Sequence, residues 1–207
     1  MKGLLVRRED ILRRLRSWRL KMLTVVGSGI CRDHLTDRAK KIIERAEVVY
    51  GSKKALDNVR EFIKGKFKVM KGFSEAEYSE IVEESKRKNV VVVSTGDPMV
   101  AGLGTKFHAE VEPGISSVQV ALAKLGVDLC DVVVMNAHSK EVNLREIMHF
   151  LKFRSVLILA NRRFDIKKLG ELKVVLLENM CMNERVREGL ASEMELSSDY
   201  TIIFIRR

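Results

Sequence analysis

Cysteine is scarce in this 207-residue chain, and its placement excludes two kinds of architecture. Cys31, Cys130 and Cys181 lie far apart and never in CxxC spacing, so neither a disulfide framework nor a zinc knuckle is implied, and free thiols are expected. The histidines, His34, His108, His138 and His149, show no ligand spacing, so no metal is expected. No apolar run approaches the ~20 residues of a membrane-spanning helix, and the first residues lack the apolar core of a secretory signal. No membrane association and a cytoplasmic location follow as expectations. Gly-x-Ser-x-Gly is absent, and no Ser, His and Asp stand in a nucleophile-elbow context, so no catalytic residue is assigned. Glutamine occurs only at Gln119 while charged residues make up 32% of the chain, a bias that fits a heat-adapted source.

What is present is a strongly uneven charge. The formal net charge is +10, yet residues 1–21 carry eight basic side chains against Glu9 and Asp10, which places +6 there and leaves +4 for the rest. A body this mildly basic suits an anionic small molecule at least as well as a polymer, so no nucleic-acid partner is expected. Leu4, Leu5, Ile11, Leu12, Leu15 and Trp18 recur among the arginines at amphipathic spacing, which predicts a helical extension over 1–21. Met22 then begins a different pattern.

From Met22 onward strands and helices alternate, which predicts an α/β fold with a largely parallel sheet. Expected strands are 22–26, Val48–Tyr50, Phe67–Met70, Val90–Val93, Phe107–Val111, Asp131–Met135, Ser155–Leu159, Lys173–Leu177 and Tyr200–Ile205. Helices are expected after the N-cap Thr36, over Ser52–Phe62, over Ser74–Lys88 with a Ser74–Glu77 capping box, after Ser116 or Ser117, and over Asn143–Lys152. A short helix is expected over Asp165–Leu169. The expected domains are the extension 1–21, an N-terminal α/β domain 22–112 and a C-terminal α/β domain 113–207.

Three turns carry the functional expectations. Gly27-Ser28-Gly29 follows the first strand, but the third glycine of a dinucleotide fingerprint would fall at Arg32, which argues against a nicotinamide cofactor. Ser94-Thr95-Gly96-Asp97-Pro98 ends the four-valine strand, at the carboxyl edge where open α/β sheets bind ligands. Glu112-Pro113-Gly114-Ile115-Ser116-Ser117 leads into a helix. Each alone reads as an ordinary turn or cap; together they can line one crevice.

Together these residues resemble the tetrapyrrole (corrin and porphyrin) methyltransferases over about Met22 to Arg207. Pro113 to Gln119, together with Glu178-Asn179-Met180 and Asn183-Glu184-Arg185, is most similar to the branch that methylates ring carbon C5 of a cobalt-precorrin in cobalamin synthesis. The chain departs from the family in having Ile30 and Cys31 where Pro-Gly is common, and Val100 and Ala101 where the branch tends to be aromatic. The resemblance implies two α/β domains with a ligand cleft between them, S-adenosyl-L-methionine as cofactor, a corrinoid substrate, usually a homodimer, and a separate partner for C15 methylation and decarboxylation. By motif position it implies cofactor contacts from Ile30, Gly96, Asp97, Val100, Ser116, Ser117 and Ala160. Substrate contacts are expected from Gly27, Ser28, Gly29, Arg32 and His138. Arg162 and Arg163 are further loop candidates for substrate carboxylates. Met99-Val100-Ala101 is similar to diphthine synthase, a relative that methylates a modified histidine of a translation factor, which gives one alternative. A non-catalytic module binding RNA or membrane through 1–21 gives another.

Overall fold

The computed structural model describes residues 22–138 and 140–207. The helix expected over 1–21 lies outside the described residues. The chain divides into two compact units, with the division between Gly114 and Ile115.

The first unit is built on a parallel five-stranded sheet ordered β3-β2-β4-β1-β5, with β1 Leu23–Gly27, β2 Val48–Gly51, β3 Lys66–Val69, β4 Val90–Ser94 and β5 Glu110–Glu112. The valine run forms the centre because both of its faces are covered. Val90 and Val92 pack with Leu23, Val25, Tyr50, Tyr78 and Ile81, whereas Val91 and Val93 pack with Val26, Ala39, Ile43, Val49 and Leu56. Helix α1 (Asp37–Glu44) and helix α2 (Lys53–Val59) supply one face, and α3 (Glu75–Glu84) supplies the other. Each fully buried valine of β4 stabilises the unit by roughly 1.5–3 kcal/mol.

Helix starts follow side-chain chemistry. Thr36 Oγ1 accepts from Ala39 N, Ser52 Oγ from Ala55 N and Ser74 Oγ from Glu77 N. The Ser74–Glu77 capping box is incomplete, because the Glu77 carboxylate instead accepts from the N–H groups of Lys71, Gly72 and Phe73. Beside α3, Lys68 Nζ donates to Tyr50 Oη and to Glu84 Oε2, both at 2.8 Å, while Tyr50 Oη also donates to Glu84. Hydrogen bonds from Lys68, then Lys88 and Tyr50, hold the Glu84 carboxyl down to about 2.

The strand expected over Phe107–Val111 shortens to β5. Phe107 and Ala109 are buried in a loop, with the Phe107 ring edge-on to Tyr78 at 5.2 Å, so their burial comes from capping the sheet face and not from pairing. Pro113 and Gly114, expected at the head of the second domain, stay with the first unit, because Gly114 packs between Gly27 and Gly96.

The second unit holds a mixed sheet ordered β6-β7-β10-β8-β9: β6 Val132–Asn136, β7 Ser155–Ala160, β8 Lys173–Glu178, β9 Arg185–Leu190 and β10 Thr201–Ile205. Only β6 and β7 are parallel; β10 inserts antiparallel between β7 and β8, and β9 runs antiparallel to β8. Strand β9 has no counterpart in the sequence reading, since Val186 on this edge strand is exposed and the segment shows no apolar alternation. Helix α4 (Ser117–Leu125) packs on β10 with Val118, Ala121 and Leu122 buried, and α5 (Leu144–Phe150) buries Ile147 in a core shared with Val156, Ile158, Leu176 and Ile203. The short helix expected over Asp165–Leu169 is a 3-10 turn over Ile166–Leu169. Among the described residues, no helix is long and apolar enough to cross a membrane.

Candidate functional site

In the first unit the connection leaving β1 runs to β2 on one side, and the connection leaving β4 runs to β5 on the other. The adjacent carboxyl ends of β1 and β4 therefore flank a topological switch point, where sheets of this kind take their ligands. Gly27 stands in register with Ser94, so the turns that follow leave the sheet side by side. They are bridged directly: Gly29 N donates to Gly96 O at 3.2 Å, and Gly96 N to Gly29 O at 2.9 Å. Ser28 N donates to Ser94 O at 2.9 Å.

The third turn closes on this pair. A Cβ placed on Gly114 would lie 2.4 Å from Gly96 O, and one placed on Gly27 would lie 2.6 Å from Gly114 N. The glycines at 27, 96 and 114 thus belong to one junction of backbones, as the grouping of the three turns anticipates. The reason for glycine differs from the expected one. At 27 and 114 the space of the missing side chain is taken by the protein's own main chain, and at 29 by His34, whose Cβ would sit 2.3 Å away. Gly96 has φ of +72°, a conformation that disfavours any other residue.

Asp97 locks the junction. Its Oδ1 accepts from Met99 N at 2.7 Å and its Oδ2 from Gly114 N at 3.0 Å, so one carboxylate joins the turn after β4 to the turn after β5. Beyond it the chain folds tightly: Gly104 N donates to Pro98 O at 2.8 Å, and Cβ atoms at Gly102 and Gly104 would strike Ser94 Oγ and Met99 Sδ. Exposed Ala101 is thereby held at φ of +52°, a strained conformation of the kind that collects at ligand clamps.

The remaining expected residues sort by exposure. Arg32 is exposed and pairs with Glu61 at 3.4 Å, while Val100, Asp97 and Ser117 are part-exposed. Ser28 is fully buried: its Oγ donates to Gly29 O and accepts from Asn58 Nδ2 at 3.4 Å. Ile30 is buried, and Ala160 is buried completely at the end of β7. Ser116 is the N-cap of α4, accepting from Gln119 N at 3.2 Å while Gln119 Oε1 accepts from Ser116 N at 2.7 Å. The chain's single glutamine therefore closes a full capping box, and the Ser116 hydroxyl is committed to it.

His138 is exposed in the loop after β6, with Nδ1 3.5 Å from the Asn161 amide. Surrounding protein pushes its imidazole below the ordinary range, and the nearby Asp199 carboxylate opposes that shift. Arg162 is neutralised by Asp199 at 2.9 Å.

Sequence reasoning missed three contributors. Asn58 donates to Gly29 O at 3.3 Å as well as to Ser28, and its signal was a polar residue beside the buried stripe of α2. Glu112 is buried at the end of β5, held by Arg38 at 2.9 Å. Glu178, read only as part of a motif, is a fully buried carboxylate that accepts from Ser197 N at 2.7 Å, Arg187 at 2.9 Å and Ser197 Oγ at 3.0 Å. Burial pushes its pKa up, yet the Ser197 N–H and the Arg187 guanidinium outweigh that and hold it below the usual carboxylate range. Asn179 at φ of +52° and its bond from Ser198 complete a clamp between the end of β8 and the turn before β10.

A parallel sheet with glycine turns gathered at its switch point, followed by a second mixed sheet, defines a ligand-binding α/β protein of two sheets. Residues 22–195 match the family model of the tetrapyrrole (corrin/porphyrin) methylases, and the chain belongs to that family. A probable cobalt-precorrin-7 C(5)-methyltransferase of Methanocaldococcus jannaschii is 33% identical over 185 residues, covering 80% of this chain and 87% of the relative. A decarboxylating precorrin-6Y C(5,15)-methyltransferase of Sinorhizobium sp is 33% identical over 162 residues, but the match covers only 38% of that longer protein. Among solved structures, a cobalamin biosynthesis precorrin-6Y methylase from Archaeoglobus fulgidus is 48% identical with a TM-score of 0.82, over 90% of this chain and 98% of that one. Diphthine synthase shares the fold, with a TM-score of 0.71 at 15% identity, over 89% of each chain.

Proposed function

We propose that this protein transfers a methyl group from S-adenosylmethionine to ring carbon C5 of a cobalt-precorrin in cobalamin biosynthesis. The observation that carries the reading is the alignment of a probable cobalt-precorrin-7 C(5)-methyltransferase along 80% of this chain at 33% identity, with a precorrin-6Y methylase along 90% at 48%. Diphthine synthase, the alternative, has in its favour the similarity of Met99-Val100-Ala101 and a shared fold at 15% identity.

When bound, S-adenosylmethionine would supply an electrophilic methyl on a sulfonium to an electron-rich ring carbon of the substrate, the methyl–sulfur bond breaking as the carbon–carbon bond forms and S-adenosylhomocysteine leaving. The protein's task is then alignment and exclusion of water, so no side-chain nucleophile is needed. The Gly27–Gly96–Gly114 junction fixes the floor, and Asp97 acts through it as a positioning residue because both of its oxygens already hold main-chain N–H groups. Val100 and the strained Ala101 present the surface that meets the cofactor in the first unit. In the second unit Ser117 is the part-exposed hydroxyl of the serine pair. Assembly as a homodimer in the cytoplasm, with a separate protein for C15 methylation and decarboxylation, belongs to the same proposal; the short match to the longer C(5,15) relative agrees with that division.

Gly96→Val tests the cofactor part. A β-branched side chain resists φ of +72°, so the turn must shift, and calorimetric titration should register loss of S-adenosylmethionine binding in a protein that still folds. Unchanged affinity would place the cofactor elsewhere.

A further inference from the structure

We propose that a groove within the second unit is a carboxylate-binding subsite for a side arm of the macrocycle, a proposal that rests on the corrinoid reading above. Strands β6 and β7 run parallel and end together, with Ala137 N donating to Leu159 O at 2.8 Å. Residues 137–138, 140–143, 161 and 163–165, which follow these strands, line a groove of about 380 Å3. Val142 and Phe164, part-buried against the core of the unit, line it together with exposed Leu144. Its rim carries Lys140, Arg163 and Lys168.

The distribution of ion pairs on these loops is the informative feature. Arg162 and Lys167 are neutralised by Asp199 and Glu195, at 2.9 and 3.2 Å. Their immediate neighbours Arg163 and Lys168 line the groove, and with Lys140 they form no ion pair among the described residues. Two acids also line it, Glu141 and Asp165, and Asp165 Oδ1 is engaged as the cap of Lys167 N at 3.2 Å. Asn161 holds the loop in place by accepting from Arg163 N at 2.9 Å, which fixes the main chain from which the guanidinium projects. The Asn161 amide lies 3.5 Å from His138 Nδ1, and both residues stand at the same rim.

Part-buried Val142 and Phe164, beside cations that form no ion pair among the described residues, match an aliphatic arm ending in a carboxylate. The methylenes lie on Phe164 and Val142, the guanidinium forks onto the oxygens, and the two ammonium groups add charge. The volume is at the small end for ligand pockets, enough for an arm and a ring edge but not for a whole macrocycle.

The test uses the full chain and uroporphyrin, a stable porphyrin with carboxylates on every ring, followed by fluorescence quenching. Arg163→Gln with Lys168→Gln should weaken binding by about tenfold or more, given what charge-assisted bonds contribute. Lys167→Gln, the paired neighbour, should leave binding within about twofold. The charge-keeping pair Arg163→Lys with Lys168→Arg should restore most of the loss, which a merely structural effect would not do. Equal affinity in the Gln pair and the parent, or no uroporphyrin binding by the parent, overturns the subsite. Competition by citrate or inorganic phosphate as strong as by uroporphyrin overturns the assignment to the macrocycle, since free small anions would then be the ligand. S-adenosylmethionine affinity, measured in the same variants, should not change; failure of methyl transfer in the parent protein would strike the corrinoid reading and not the groove.

Discussion

Gly27→Ala is the sharpest perturbation of the junction that the candidate site is built on. The added Cβ would lie 2.6 Å from Gly114 N, 2.7 Å from Gly114 Cα and 2.7 Å from Gly96 O. All three are main-chain atoms, so no rotamer change relieves the clash, and the turns must separate by roughly 0.8 Å or more to reach ordinary contact. Overpacking of this kind costs about 1–3 kcal/mol. Separation also stretches the bond from Gly114 N to the Asp97 carboxylate, a charge-assisted bond with a net value of about 1.5–3 kcal/mol. A loss near 3 kcal/mol is the expected sum when that bond is weakened but not abolished. Urea unfolding followed by circular dichroism should show a lower midpoint at unchanged slope, and calorimetry a weaker S-adenosylmethionine titration. Gly72→Ala is the control, because a Cβ there meets nothing within 4 Å. Gly27→Ala with stability within about 0.5 kcal/mol of the parent and equal affinity would refute the close-approach argument.

Asp97→Asn keeps one acceptor and turns an amide NH2 toward Met99 N or Gly114 N, so it should cost about 1–3 kcal/mol of stability and weaken the cofactor, measured by the same two assays. Glu178→Ala leaves Arg187 and Ser197 N without their buried partner and should destabilise by about 3–5 kcal/mol on denaturant unfolding; a change inside about 0.5 kcal/mol would contradict the clamp described for it. Glu84 has a depressed carboxyl, at about 2, so its contribution to stability is complete above the unfolded value of roughly 4.3 and is lost as pH falls toward 2. Glu84→Gln should therefore flatten the acid limb of a stability-versus-pH curve in that window and leave the neutral limb parallel to the parent's.

Much of the first unit was legible because its determinants are local. Four successive valines announce a strand covered on both faces, and Thr36, Ser52 and Ser74 stand where helix N-caps are observed. The antiparallel part of the second sheet was not legible: β10 reaches β7 and β8 through pairings distant in sequence, and β9 is an exposed edge without alternation. The site divides in the same way. The three turns could be grouped from their glycines, but which glycines face a ligand and which face another turn depends on contacts such as that of Gly27 with Gly114, separated by most of the first unit. Asp97 looked like a ligand contact because a carboxylate after a strand invites that reading; its two main-chain partners appear only in three dimensions. Glu178 likewise hid in a motif, since nothing in Leu-Leu-Glu-Asn marks the glutamate as buried.

Methyl transfer to a corrinoid ring carbon is tested directly by one incubation. Purified protein is combined with isotopically labelled S-adenosylmethionine and a cobalt-precorrin-7 preparation, and the product is analysed by mass spectrometry and carbon NMR. One labelled methyl group at C5 and formation of S-adenosylhomocysteine are expected. Label appearing instead in a translation factor supplied in parallel, with none in the corrinoid, would contradict it.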